Sequence, residues 1–194
     1  HQYTLQGFLP LEFPLPLSGF ALWGEFDTEE LTHKLKFDLP ASDKRETRPI
    51  LTGIFFRSDG STLDLVAADG YRLHKEVCVK GTFHPGEYVI PATVLQDVLK
   101  ILPNDKTLTL SHAENTPDTV SLRLECGPLS AVCHPIEGKF PDYELIIPRS
   151  RSATVTCQAS DLLAGFQAVS ALAYSNGDDA VKLHTFTPEN FTLF

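Results

Sequence analysis

The sequence is short of cysteine, of basic charge and of long apolar runs, and each shortage removes a class of protein. Its four cysteines, Cys78, Cys126, Cys133 and Cys157, are scattered and form no C-x-x-C pair. They are too few for a disulfide framework and read as reduced thiols of a cytosolic protein. Cys126, Cys133 and His134 make only a weak zinc grouping, because isolated strand cysteines are usually small core residues. No metal and no cofactor is therefore expected. Sixteen Lys and Arg against twenty-five Asp and Glu give a formal charge of −9, which excludes coating nucleic acid by electrostatics but leaves room for a local basic patch. GFLPLEFPLPLSG near the start is broken by Pro10, Pro14 and Pro16, so it is neither a signal peptide nor a membrane span. The glycines form no phosphate-cradling string and no G-x-S-x-G occurs, so neither a nucleotide site nor a serine nucleophile is indicated. Methionine is absent, the chain begins at His1, and it ends on the apolar FTLF. It reads as a piece of something longer.

What is present suffices for a folded core. With 42% hydrophobic and 21% charged residues over 194 positions, the chain is globular and long enough for one or two domains. Residues 1–5 read as the tail of a strand and 6–19 as an extended, proline-spaced linker. A unit then begins with a strand at FALWGEF and a helix at DTEELTHKL, capped by Asp27, with Leu31 and Leu35 one turn apart on one face. Pro40 is expected to stop or bend that helix. Three strands follow at ILTGIFF, TLDLVAA and RLHKEVCV, separated by the turn signals Ser58-Asp59-Gly60 and Asp69-Gly70.

The order then restarts. EYVI leads into PATVLQDVLKIL, with Pro91 in the first helical turn and an apolar face at Val94, Leu95, Val98, Leu99 and Leu102. Strands are expected at TLTLSH, TVSLRLE and LSAVCHP. A third start at ATVTC leads to a helix capped by Ser160, then to strand-like AVKLH and FTLF. Leu31, Leu95 and Leu162 occupy one helix position in the three copies, spaced by 64 and 67 residues. A β-α-β-β-β unit thus occurs twice in full and a third time in part. Neither a striped helix nor a one-sided sheet is dry alone, so two units are expected to pack as one α+β domain over residues 20–148.

Four strings carry a family resemblance: RPILTGIFF, LVAADGYRL, YVIPATVLQDVLKIL and IEGKFPDYELIIP. In that order and spacing the chain resembles the bacterial sliding clamp, the beta subunit of DNA polymerase III. YTLQGFLPLEFPLP is similar to that family's first linker, and TVTCQASDLLAGFQAVSALA to the opening of its third domain. The resemblance implies a DNA-clamp fold, with the end of a first domain and linker at 1–19, a complete middle domain at 20–148, and the N-terminal part of a third at 149–194. It implies no enzyme. The family is a homodimeric ring around duplex DNA, placed there by an ATP-driven clamp loader, and it tethers the polymerase III catalytic subunit and other proteins bearing clamp-binding motifs. A cytoplasmic, nucleoid-associated location follows from the same likeness.

By resemblance, Ala68, Gly70, Tyr71, Arg72 and Leu73 fall at the family's peptide pocket between the middle and third domains, with Leu51, Pro141, Leu145 and Ile146. The family often has a cation where Leu145 stands, so that rim is more apolar here. Gly70 lets a partner approach the backbone closely. The apolar members offer a surface, and Arg72 and Tyr71 offer polar tips. The plain alternative is a hairpin turn with Asp69 and Arg72 paired and Leu73 in the core. Lys44, Arg45 and Arg48 form the only dense basic cluster, in a loop the family places toward DNA. Lys34, Lys36 and Lys100 lie on helices expected to face the hole. The rival readings are an interaction domain without a DNA role and, from another class, a hydrolase using Asp69 and His74 as an acid–base pair. Trp23, Phe140 and Tyr143 are expected to be packed, and Asp142 to form a turn.

Overall fold

The computed structural model describes residues 18–45, 47–78, 80–103, 106–116, 119–150, 154–175, 183–187 and 190–193. The expected strand tail and most of the linker before residue 18 lie outside them. The chain divides into two compact units, His1–Glu144 and Leu145–Phe194, so the boundary read at 149 falls a few residues inside the second.

The first unit contains the doubled pattern. Its first half comprises β1 (Ala21–Asp27), α1 (Thr28–Asp38), β2 (Gly53–Ser58), β3 (Leu63–Ala68) and β4 (Leu73–Cys78). After a short β5 (Gly81–Phe83), the second half comprises β6 (Gly86–Pro91), α2 (Ala92–Ile101), β7 (Thr107–Thr116), β8 (Thr119–Cys126) and β9 (Leu129–Cys133). Asp27 caps α1 by accepting a hydrogen bond from the Glu30 amide at 2.8 Å, a contact that contributes about 1 kcal/mol. Pro40 acts as expected: α1 ends at Asp38 and passes into one 3-10 turn, Leu39–Ala41, since proline lacks the N–H the next helical bond requires.

Three boundaries differ from expectation. Residues 49–52 form a 3-10 turn instead of opening β2. Pro49 starts it, Leu51 N donates to Arg48 O at 2.9 Å, and Thr52 Oγ1 donates to Pro49 O at 2.8 Å. Pro91 ends β6 opposite Gly53 and precedes α2, so it stands just outside the helix. The three-residue β5 has too little pattern to be read from sequence. Gly81 makes it possible, for its φ is 148° and a Cβ there would strike the Glu25 carbonyl oxygen.

The two halves exchange their leading strands. One sheet runs β5-β1-β7-β8-β9 and the other β4-β3-β2-β6. β1 therefore belongs to the sheet of the second half, pairing Phe26 with Leu108. β6 belongs to the sheet of the first half, pairing Ile90 with Ile54. A single core joins them: Leu31 and Leu35 of α1, Leu95 of α2, Ile54, Phe56, Leu65 and Ile90 of one sheet, and Leu110, Leu122 and Leu124 of the other. Full burial of each such side chain contributes roughly 1.5–3 kcal/mol. Trp23 packs here too, with Tyr88 edge-on at 5.3 Å.

β2 and β3 are buried on both faces, which explains their unbroken apolar runs. Alternate residues point to opposite sides of a strand, so Ile54 and Phe56 enter the shared core while Phe55 points outward. On the outer face Phe55, Val66 and Val89 form a second cluster with Leu51, Phe140 and Tyr143. The Gly138–Tyr143 string lies over this face like a strap.

The second unit holds α3 (Ala159–Ser175) and a hairpin of β10 (Leu183–Thr187) and β11 (Asn190–Leu193). Ser160 is not the cap of α3. The helix starts one residue earlier, with Leu162 N donating to Gln158 O at 3.1 Å, and Ser160 Oγ turns to Asp161 at 3.3 Å. The strand expected at ATVTC does not form over its described residues 154–157.

Candidate functional site

The corner Asp69-Gly70-Tyr71-Arg72 joins β3 to β4. Asp69 builds it: Oδ1 accepts the amides of Tyr71 and Arg72 at 2.9 and 3.0 Å, and Oδ2 accepts Arg72 Nε at 2.8 Å. Partial burial works against ionisation, but the Arg72 and Tyr71 amides and the Arg72 guanidinium outweigh it and hold the carboxyl down at about 2. Gly70 supplies the turn with φ at 90°, and a Cβ added there would meet only Arg48 Nη1, at 3.6 Å. The turn and the Asp69–Arg72 pair of the plain hairpin reading are thus formed, whereas Leu73 is half-buried at the edge of the outer cluster and not in the core.

Leu51, Ala68 and Leu73, expected together, do come together. All three belong to the outer-face cluster, Leu51 buried and the others half-buried. Ala68 and Leu73 are directly opposed across the β3–β4 ladder. Tyr71 projects from the corner with 89% of its surface exposed. Pro141 is exposed, between Phe140 and Tyr143 on the strap. Leu145 and Ile146 open the second unit and are also exposed. Only the resemblance assigns them to the pocket.

The strap is fastened at two points. Phe140 stacks on Phe55 with centroids 4.8 Å apart. Tyr143 donates its hydroxyl to Asp64 Oδ2 at 2.9 Å, and Lys75 pairs with the same oxygen at 2.8 Å. Phe140 and Tyr143 are therefore packed, as read.

The basic residues expected to face DNA have more varied surroundings. Lys34 is paired with Glu76 at 3.1 Å, its side chain only 18% exposed. Lys100 is exposed and pairs with Asp97 at 2.7 Å. Lys36 and Lys44 are exposed. Arg45 binds the buried Asp43 at 3.1 Å. With Arg48 it reaches the Gly70 corner, where Asp43, Arg45, Thr47 and Arg48 on one side and Asp69, Gly70 and Tyr71 on the other enclose a cavity of about 280 Å³. The sequence had separated these basic residues from the docking residues; the fold joins them.

The acid–base pair of the hydrolase reading is not formed. Asp69 is committed to its turn, and His74 is held elsewhere: its Nδ1 and Oδ1 of Asp38 share a 2.7 Å hydrogen bond. Asp38 is fully buried. Desolvation lifts its carboxyl to about 6, against the lowering effect of the His74 bond. Sequence reasoning missed Asp38, and only its position in the last turn of α1 hinted at a partner. No cluster of metal-ligating residues occurs among the described residues. His134 Nδ1 lies 3.1 Å from the Val120 carbonyl. Burial pushes the Cys78 and Cys133 thiols up, to about 12 and about 11, so both are inert packing groups.

The family profile for the DNA polymerase III beta subunit, central domain, matches residues 28–142. The beta sliding clamp of Chlamydia muridarum is 27% identical over 186 residues, covering 94% of this chain and 49% of its own. That of Synechocystis sp. is 29% identical over 195 residues, covering 95% and 46%. Among solved structures, the Bacillus subtilis sliding clamp aligns with a TM-score of 0.82 at 24% identity, over 94% of this chain and 48% of that one. The Helicobacter pylori beta clamp bound to a DNA ligase peptide aligns with a TM-score of 0.73 at 21% identity, over 86% and 46%. The chain spans about half the length of these relatives. The structural likenesses speak for the fold, and the profile takes in more than half of the residues. The chain belongs to the DNA polymerase III beta subunit family, which it matches through that family's central domain.

Proposed function

We propose that this chain is the central part of a DNA sliding clamp, a processivity factor without catalytic chemistry. In the whole protein, two copies form a ring around duplex DNA, a loader places it there, and the polymerase III catalytic subunit and other motif-bearing proteins are tethered to its outer surface. The ring works in the cytoplasm, at the nucleoid. The observation that carries the docking part is the convergence of Leu51, Ala68 and Leu73 beside the bare Gly70 corner. The related Helicobacter clamp, with its bound ligase peptide, supports the same reading.

The magnitudes suit exchangeable docking. Two large apolar peptide side chains contribute roughly 1.5–3 kcal/mol each. Backbone hydrogen bonds and Arg72 add to this, and ordering the peptide subtracts. A micromolar complex, about −8 kcal/mol, results. Few free cations are needed around DNA, because topology retains the ring and phosphate contacts need only be weak and sequence-independent.

The test is fluorescence anisotropy with a labelled Gln-Leu-Ser-Leu-Phe peptide and, separately, with duplex DNA. Peptide binding weakened by Arg72→Ala is expected, together with weak duplex binding of shallow salt dependence. Tight duplex binding at physiological salt would defeat the ring account.

A further inference from the structure

The cavity at the Gly70 corner is polar, lined by two carboxylates, Asp43 and Asp69, and two guanidiniums, Arg45 and Arg48, and both carboxylates are engaged by an arginine other than Arg48. Arg45 is neutralised by Asp43 at 3.1 Å, and Arg72 by Asp69 at 2.8 Å. Arg45 is fixed further: its Nη2 donates to the Asp69 carbonyl at 3.4 Å and its guanidinium lies 5.8 Å from the centre of the Tyr71 ring. Arg48 is left. It is exposed, it stands beside Gly70, and among the described residues no carboxylate pairs with it. One guanidinium without an ion-pair contact among the described residues therefore faces a cavity of about 280 Å³, below the usual size for a whole small-molecule ligand, about 300–1,000 Å³. That volume suits a single side chain.

We propose that this cavity is a carboxylate socket, in which Arg48 receives an Asp or Glu side chain next to the apolar motif of a docked peptide. The socket rests on the reading of the Gly70 corner as a peptide site, and it names what that site selects. It makes Arg48 a specificity determinant, although the sequence had pointed it at DNA. The planar guanidinium offers a carboxylate two parallel N–H donors, and the prepositioned Arg45 and Tyr71 form a wall that needs no reordering. Charge complementarity favours an acidic side chain here over the rest of the surface, since the chain carries a formal −9. Duplex DNA fits less well. It presents a phosphate charge about every 1.7 Å along its axis, whereas this cavity offers one free cation between two carboxylates.

The experiment uses the 194-residue chain and three labelled, end-blocked peptides: Gln-Leu-Ser-Leu-Phe, the same preceded by Glu, and the same followed by Glu. At least one acidic peptide is expected to bind about ten-fold more tightly than the neutral one, and Arg48→Gln to reduce that ratio to less than about two-fold. Equal binding of all three overturns the socket and leaves the docking site standing. Absence of binding by any peptide overturns both. An acid preference that persists in Arg48→Gln overturns the socket. So does an Arg48→Gln variant that weakens duplex binding while keeping the preference, because Arg48 then contacts phosphate.

Discussion

Phe55 of β2 and Phe140 of the strap lie with their rings parallel and their centres 4.8 Å apart, although 84 residues separate them in the chain. This contact turns a one-sided sheet into one buried on both faces, and it sets the floor on which Leu51 and Leu73 stand. The surface proposed for docking draws on three distant segments: the 3-10 turn at Pro49–Thr52, the β3–β4 corner and the strap.

The strap contributes to stability as well as shape. Phe140→Ala is expected to cost about 3–5 kcal/mol, and Tyr143→Phe, which loses the bond to Asp64, about 1 kcal/mol. Urea denaturation measures both. A loss below about 1 kcal/mol for Phe140→Ala would mean that the outer cluster is not part of the cooperative core.

Strand exchange makes each half dependent on the other. The peptide spanning 18–84 lacks one strand of its main sheet, β6, the peptide spanning 85–144 lacks two, β1 and β5, and each lacks half of the shared core. Neither is expected to unfold cooperatively alone, and an equimolar mixture is expected to regain the circular dichroism and thermal transition of the intact unit. A sharp transition in either fragment alone contradicts the exchange.

Asp38 predicts a pH dependence with a definite sign. Its folded pKa of about 6 lies above the ordinary 3.8, so between those values the folded chain keeps a proton that the unfolded chain releases. The contribution is complete below pH 4 and lost as pH rises through 6, on the order of 1–3 kcal/mol. Asp59 and Asp69, held down at about 2 by the amides they cap, act in the opposite sense and in a lower window, between about pH 2 and 4. Comparing wild type with Asp38→Asn at pH 4 and pH 7 isolates the first effect. A stability difference independent of pH would rule it out.

For docking, Leu73→Ala is expected to weaken the Gln-Leu-Ser-Leu-Phe complex about ten-fold, close to 1.4 kcal/mol. Val132→Ala, on the exposed edge strand β9, should leave the affinity within two-fold. Equal effects of the two changes would place the peptide elsewhere.

Much of this protein was legible before its structure. The Asp27 cap, the Leu31/Leu35 and Leu95/Val98 stripes and the stop at Pro40 are local matters of period and backbone chemistry, and each stands where it was read. The errors also have local causes. Ile50 and Leu51 look like strand residues, yet Pro49 and Thr52 bend them into a turn. ATVTC has strand composition, yet its described residues 154–157 form no strand.

The sequence by itself determined which segments are helix or strand, that the unit is repeated, and that a bare glycine corner sits beside apolar residues. These follow from side-chain periodicity and from what single residues permit of their own backbone. Only the tertiary structure decided that β1 and β6 change sheets, that His74 pairs with Asp38 across 36 residues, and that Arg45 and Arg48 meet the Gly70 corner. A strand's hydrogen-bonding edge is the same whatever its side chains, and a charge can pair with any opposite charge the fold brings near. Partner choice at that range is settled by how the two halves close over a common interior.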